Sequence, residues 1–306
     1  MSPAVWFLAL GLLPEDVRFD PVSPRQGDLV LLYVRSSAKE GTAELFGHQV
    51  PLFPLGPGLL RGAAPIPMEA DLGPQPVLLN LGEEQMTATV DVSGRTFDQS
   101  ELTVSKEFTK KPDRALKARL KREAAEIKAV WDAAPSRSLA VGPVVRPVPG
   151  VTTGNFGTAR VFNGKTKSTH LGLDLDGEEG DPVRSVAEGK VVLSSLRFAS
   201  GGTLVIDHGG GLYSMYFHLS RRDKKRGERV TAGELIGAVG KTGRVTGPHL
   251  HLAIVSRVVI MDAKKTGQAR SMYVDPQAFL GLTLGGPEPT SAPEEEASFG
   301  GSAANR

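Results

Sequence analysis

The chain contains no cysteine, so disulfides and thiolate-bound metals are excluded. Aromatic residues are scarce, at 6% of 306 positions, and neither sign of charge dominates: 36 Lys and Arg stand against 34 Asp and Glu, for a net charge of +2. That balance leaves no footprint for nucleic acid, and a pI of 8.8 is at most compatible with attraction to an anionic polymer. No apolar stretch reaches the ~20 residues that a membrane-crossing helix needs. The run from Ala4 to Leu13 has the length of a signal-peptide core. On that apolar core residues 1–15 are read as a candidate leader, although no basic stretch precedes it and no small-residue cleavage site follows it; the alternative is a buried first strand or a misplaced start codon.

What is abundant is punctuation, with 36 Gly and 22 Pro. Short strands joined by turns are therefore expected over long helices, giving a mainly β protein of two ordinary domains. Between Val17 and Val104 the runs DLVLLYV, GTAELFG, QPVLLNL and EQMTATVDV alternate and are separated by turn residues. Residues 16–104 are read as a small immunoglobulin-like β-sandwich. A helix is predicted from Asp113 to Ala133, with Leu116, Leu120, Ile127 and Trp131 on one side and a basic face on the other, inside a connector spanning 105–138. The proline-rich PSRSLAVGPVVRPVPG then leads, as an extended linker, into a C-terminal antiparallel β-sheet domain over 139–284. Residues 285–306 contain too little apolar side chain to order themselves and are read as a disordered tail.

The chemistry concentrates in two segments of the C-terminal domain. In PHLHLAI, His249 and His251 alternate with Leu250, Leu252 and Ile254, so both imidazoles leave one face of a strand with the leucines behind them. In HLGLDLD, Leu171, Leu173 and Leu175 alternate with His170, Gly172 and Asp174. A flat strand would hold the Cα atoms of His170 and Asp174 roughly 13 Å apart at ~3.3 Å per residue, too far for both side chains to meet on one ion. A bend is required, and Gly172 is the place for it. Two histidines and one carboxylate, with a position left for water, make the open tetrahedral set of a catalytic zinc. His218, in GLYSMYFHLS, and His249, beside the presumed ligand His251, are then candidates for proton transfer.

With the HxxxD at 170–174, YxHLS ending at Ser220 and GPHLH at 247–251, the chain resembles the zinc metallopeptidases of the lysostaphin and LytM type, which cleave peptide cross-links in bacterial peptidoglycan. RVFNGKTKSTHLGLD, GDPVRSVAEGKVV, ERVTAGELIGAVGKTG and YVDPQAFL follow in the order of such a domain, so the resemblance covers Val151 to Leu280. It implies one Zn2+ per chain held by His170, Asp174 and His251, with His218 and His249 as catalytic histidines. It places Arg160 and Asn163 on a loop near the substrate groove, and it implies peptidoglycan peptide stems as partner and a periplasmic or extracellular site of action at the cell envelope. By resemblance to latent relatives, an upstream segment could block the groove.

Other readings account for less of the sequence. A non-catalytic relative that binds wall or activates an amidase would lack some ligands, and none is missing. A biotinyl or lipoyl carrier fits EGKVV and GERVTAGELIGAVG but leaves the histidine pairs unexplained. GAVGKTG is no phosphate loop, because Leu235 occupies the position of the required first glycine. His48 has no ligand-type neighbour and is read as a surface or packing residue. His208, before a run of glycines, is read as a turn histidine bonded locally. Asp176 shares the Asp174 face, as a partner to a ligand histidine or as a solvated carboxylate.

Overall fold

The computed structural model describes residues 16–102, 112–133, 138–162, 166–261 and 267–284. The expected leader, the expected tail and Asn163 lie outside these. The N-terminal half forms β1 (Val17–Asp20), β2 (Leu29–Arg35), β3 (Gly41–Leu45), β4 (His48–Gly56), β5 (Leu59–Pro65), β6 (Gly73–Leu81), β7 (Glu84–Val92), β8 (Gln99–Leu102) and helix α1 (Arg114–Asp132). The C-terminal half forms β9 (Thr152–Gly154), β10 (Ala159–Phe162), β11 (Thr166–Thr169), β12 (Leu173–Asp176), β13 (Pro182–Arg184), β14 (Gly189–Arg197) and β15 (Gly201–Asp207). It continues through β16 (Leu212–Leu219), β17 (Arg221–Arg222), β18 (Arg229–Val230), β19 (Leu235–Ala238), β20 (His249–Met261), β21 (Gly267–Val274) and α2 (Pro276–Phe279). The fold is mainly β, with antiparallel pairing throughout its large sheet.

The N-terminal strands make two layers that share β4, one ordered β1-β2-β5-β4 and the other β4-β3-β6-β7. Their inward side chains, among them Leu32, Val34, Leu52, Leu79 and Val90, form one apolar core. This half does not stand apart from the other. The thirteen-residue strand β20 runs through the centre of the molecule, and at its far end Val259 and Ile260 pair with Gln49 and His48 of β4. Val258 is buried in the N-terminal core. The buried Arg61 of β5 ties the halves again, donating from Nη2 to the carbonyls of Leu139 (2.9 Å) and Ala140 (2.7 Å) and from Nη1 to that of Leu284. Its guanidinium thus satisfies linker carbonyls that would otherwise be buried without partners.

The near end of β20 sits in a sheet ordered β20-β16-β15-β14. One face carries Leu250, Leu252, Ile254, Tyr216 and Leu204 into the main core. The other face carries Ala253, Val255, Tyr213 and Met215 beneath Val130, Ile127 and Trp131 of α1. Helix α1 begins where Asp113 accepts a hydrogen bond from the Leu116 N–H (2.8 Å), the capping arrangement that its position before the apolar periodicity predicts. Burial on both faces explains why β15 and β16 read as near-continuous apolar runs. Helix α1 covers only part of its face, and beyond it the same face of β20 carries His251 and His249.

Candidate active site

Strand β12 lies beside β20 in a register that sets Asp174 opposite His251 and Asp176 opposite His249, with Leu173 and Leu175 opposite Leu252 and Leu250. Cross-strand partners share a face, so this pairing alone puts the carboxylate against the imidazole. His251 Nδ1 lies 2.7 Å from Asp174 Oδ1. His170 reaches the same point because the chain leaves strand geometry from His170 to Gly172, as the distance argument requires. A Cβ on Gly172 would stand 2.4 Å from His251 Nε2 and 2.6 Å from the Leu252 carbonyl oxygen. Only glycine admits that close approach. The bend also breaks the expected alternation: Leu173 and Leu175 are fully buried, but Leu171 is 37% exposed and lines the groove.

His170 Nε2 is 3.1 Å from Asp174 Oδ1 and 3.0 Å from His251 Nδ1. His170 Nδ1 donates to the Asn155 carbonyl at 2.7 Å, which leaves Nε2 with its lone pair facing inward. Asp174 is held from the other side by Arg160, whose Nη2 is 2.6 Å from Oδ2. Burial alone would raise the Asp174 carboxyl, but its close contacts with His170 and His251 outweigh it and hold the group well below the usual carboxylate range. Burial also lowers the pKa of His251, against the pull of Asp174.

Two acceptor atoms of these side chains and a ring nitrogen that carries at most one proton thus converge within 3.1 Å of one another. Such a cluster is short of positive charge, and a divalent cation supplies it. Tetrahedral ligands at ~2.1 Å from an ion lie roughly 3.4 Å apart, so a small adjustment of the trio accommodates zinc. Phe217, opposite His251 on β16, stacks on its ring at 5.3 Å and 30° and fixes its plane.

His218 follows Phe217 and in a flat strand would point to the opposite face. Instead it adopts φ 64°, in the left-handed region that non-glycine residues enter at a cost of about 1 kcal/mol or more. The twist brings its ring to 5.0 Å from His249 and 6.1 Å from His251. The Nδ1 of His218 donates to the Thr242 carbonyl (2.9 Å) and that of His249 to the Gly247 carbonyl (3.0 Å). The Nε2 atom of His249 is 3.7 Å from Asp174 Oδ1. Burial pushes the His218 pKa down to about 3, reinforced by the neighbouring imidazoles, so the ring is neutral at pH 7.

These side chains line an open groove of about 590 Å³. Its wall is completed by Asp98, Gln99 and Ser100, from the N-terminal half. Strand β8 pairs in parallel with β10, setting Ser100 beside Arg160. Among the described residues, the upstream segment borders the cavity through these three. Arg160, read from sequence only as a loop residue near substrate, is within the site as the partner of Asp174. Asp176 is exposed at the next cross-strand pair. His208 is 2% exposed and away from the groove, its Nδ1 2.6 Å from the Glu188 carbonyl and its Nε2 2.7 Å from Ser214 Oγ. His48 begins β4 at the junction with β20. The roles of Phe217 and β8 were not visible in the sequence, where nothing distinguishes that phenylalanine from a core residue.

Comparison with known proteins places this geometry. The profile of peptidase family M23 matches residues 168–266. Peptidoglycan DD-endopeptidase ShyA of Vibrio cholerae is 39% identical over 101 residues, which are 33% of this chain and 24% of that protein. Lysostaphin of Staphylococcus staphylolyticus is 35% identical over 113 residues, 36% of this chain and 22% of that protein. The chain thus spans about a quarter of the length of these relatives. A solved Pseudomonas aeruginosa chain assigned to peptidase M23 aligns over 84% of this chain and 95% of its own, at 27% identity and a TM-score of 0.60.

Proposed function

We propose, from the premise that residues 168–266 are a peptidase family M23 domain, that this chain is a zinc-dependent endopeptidase hydrolysing peptide cross-links of bacterial peptidoglycan. The observation that carries the reading is the convergence of His170, Asp174 and His251 beside the paired rings of His218 and His249 in one open groove. The names of the matched relatives support the substrate class and, with it, action at the envelope or outside the cell. Among the described residues no helix is long and apolar enough to cross a membrane.

His170, Asp174 and His251 would hold one zinc, which when bound supplies a Lewis acid to polarise the scissile carbonyl and acidify water. The protein's own side chains do the rest. Asn155 and Arg160 orient His170 and Asp174 from outside the trio. Of His218 and His249, one takes the proton of the attacking water. The other steadies the developing oxyanion or protonates the leaving amine. Their Nδ1 bonds to backbone carbonyls hold both Nε2 atoms ready for this exchange.

Digestion of purified cell wall by the zinc-loaded protein, with products identified by mass spectrometry, tests the proposal. New amino and carboxyl ends at cross-link peptide bonds are expected. Release of intact stems by amidase cleavage, or no release at all, would contradict it.

A further inference from the structure

Among the described residues, the N-terminal half delivers one charged side chain to the groove, and its placement is built. Phe97 packs edge-on against Phe156 at 6.5 Å and lies over Gly157, where a Cβ would stand 2.0 Å from its ring. Gly157 also has φ 80°, so no other residue suits that position. The next residue, Asp98, is held at both main chain and side chain. Its carbonyl accepts the Ala159 N–H at 2.8 Å, and its Oδ2 accepts the Asn155 amide at 3.1 Å. This loop is the one whose Asn155 carbonyl holds His170, so Asp98 is fixed relative to the reacting centre.

Among the described residues the groove lining contains two carboxylates, Asp98 and Asp174. Asp174 is committed on both oxygens, Oδ2 to Arg160 and Oδ1 to His170 and His251. Asp98 is exposed, and among the described residues its Oδ1 has no protein partner. An ionised carboxylate accepts several hydrogen bonds, and here one amide uses only part of that capacity. We infer that Asp98 is a specificity-determining residue that binds a primary ammonium group on the peptide substrate, such as a free side-chain or terminal amine next to the cleaved link. The inference rests on the peptidase reading above and adds to it the chemical group that the N-terminal half selects. It also gives that half a direct part in substrate recognition.

Two synthetic cross-linked peptides, identical except that one has its free amine acetylated, test it with the full-length zinc-loaded protein and with Asp98→Asn. Asparagine keeps the size of the side chain and an oxygen for Asn155, and the backbone bond to Ala159 is untouched. The parent should show a KM about fivefold lower for the free amine, the size expected of an exposed charge pair. In Asp98→Asn that ratio should fall to about one, with zinc content at the parent's level. A parent that cleaves both peptides with equal KM, or a variant that keeps the parent's preference, overturns the inference while the peptidase reading stands. A zinc-loaded parent that cleaves neither peptide overturns both.

Discussion

Strand β16 has one buried histidine near one end and a histidine cluster near the other, and the two places differ in what surrounds the rings. His208, just before the strand, meets a backbone carbonyl on one nitrogen and the Ser214 hydroxyl on the other. Ser214 in turn shares a hydrogen bond of 3.1 Å with the Tyr216 hydroxyl, which accepts the Val186 N–H at 2.8 Å. Every polar atom of that ring has a partner whose donor or acceptor character can match it. At the other end, His170 and His251 face a carboxylate and each other, and protons are too few to satisfy them. A buried histidine with matched partners is structural; one among unmatched acceptors is a ligand. Burial and pKa direction do not separate the two, because burial lowers both His208 and His251.

The contrast can be sharpened by substitutions, taken in order of expected effect. His218→Ala or His249→Ala should lower turnover on wall peptides by about 10² to 10⁴ with zinc content unchanged, as expected for groups that move protons or stabilise charge without holding the ion. Loss of metal in step with rate would place these rings in the ligand cluster. Arg160→Ala removes the outer partner of Asp174 and should weaken zinc binding by about 10- to 100-fold in a competition titration, with part of the loss recovered in Arg160→Lys. Unchanged affinity would make Arg160 a substrate contact only.

A chain starting at Leu139 would lack β8, β4 and Arg61. It should cleave wall more slowly than the full chain at equal zinc loading, since the groove loses a wall and β20 loses its far partner. Faster cleavage would mean that the N-terminal half occludes the site. The smallest effect concerns His208. Its folded pKa lies below the ordinary 6.5 because burial disfavours the charged ring, so the unfolded chain binds more protons as pH falls. This contribution to stability is complete above pH 6.5 and is lost toward the folded pKa, with a slope of up to about 1.4 kcal/mol per pH unit. In metal-free protein, urea denaturation of His208→Asn should show a shallower loss of stability below pH 6.5 than the parent. An identical slope would remove His208 from the account.

The site was legible in sequence to the extent that its elements are regular. The alternation around His249 and His251 fixed their common face, and the impossibility of spanning His170 to Asp174 on a flat strand located the bend at Gly172. The irregular parts were hidden. His218 shares the face of Phe217 only because of its φ of 64°, which no periodicity reveals. Leu171 is exposed for the same kind of reason, as it lies within the bend. The polar segment QSEL carries little strand signal. Its parallel pairing with β10 depends on Phe97 meeting a glycine far along the chain, which local pattern does not encode. The junction of β4 with β20 and the clasp of Arg61 were hidden likewise, because each half reads as complete by itself.

The most direct test is the zinc content of three proteins, each incubated with zinc and dialysed: the parent, His251→Ala and His208→Asn. If partner supply decides which buried histidine binds metal, these should hold about one, none and one equivalent per chain, measured by elemental mass spectrometry. A parent without zinc, or a His251→Ala protein that keeps a full equivalent, would contradict the account.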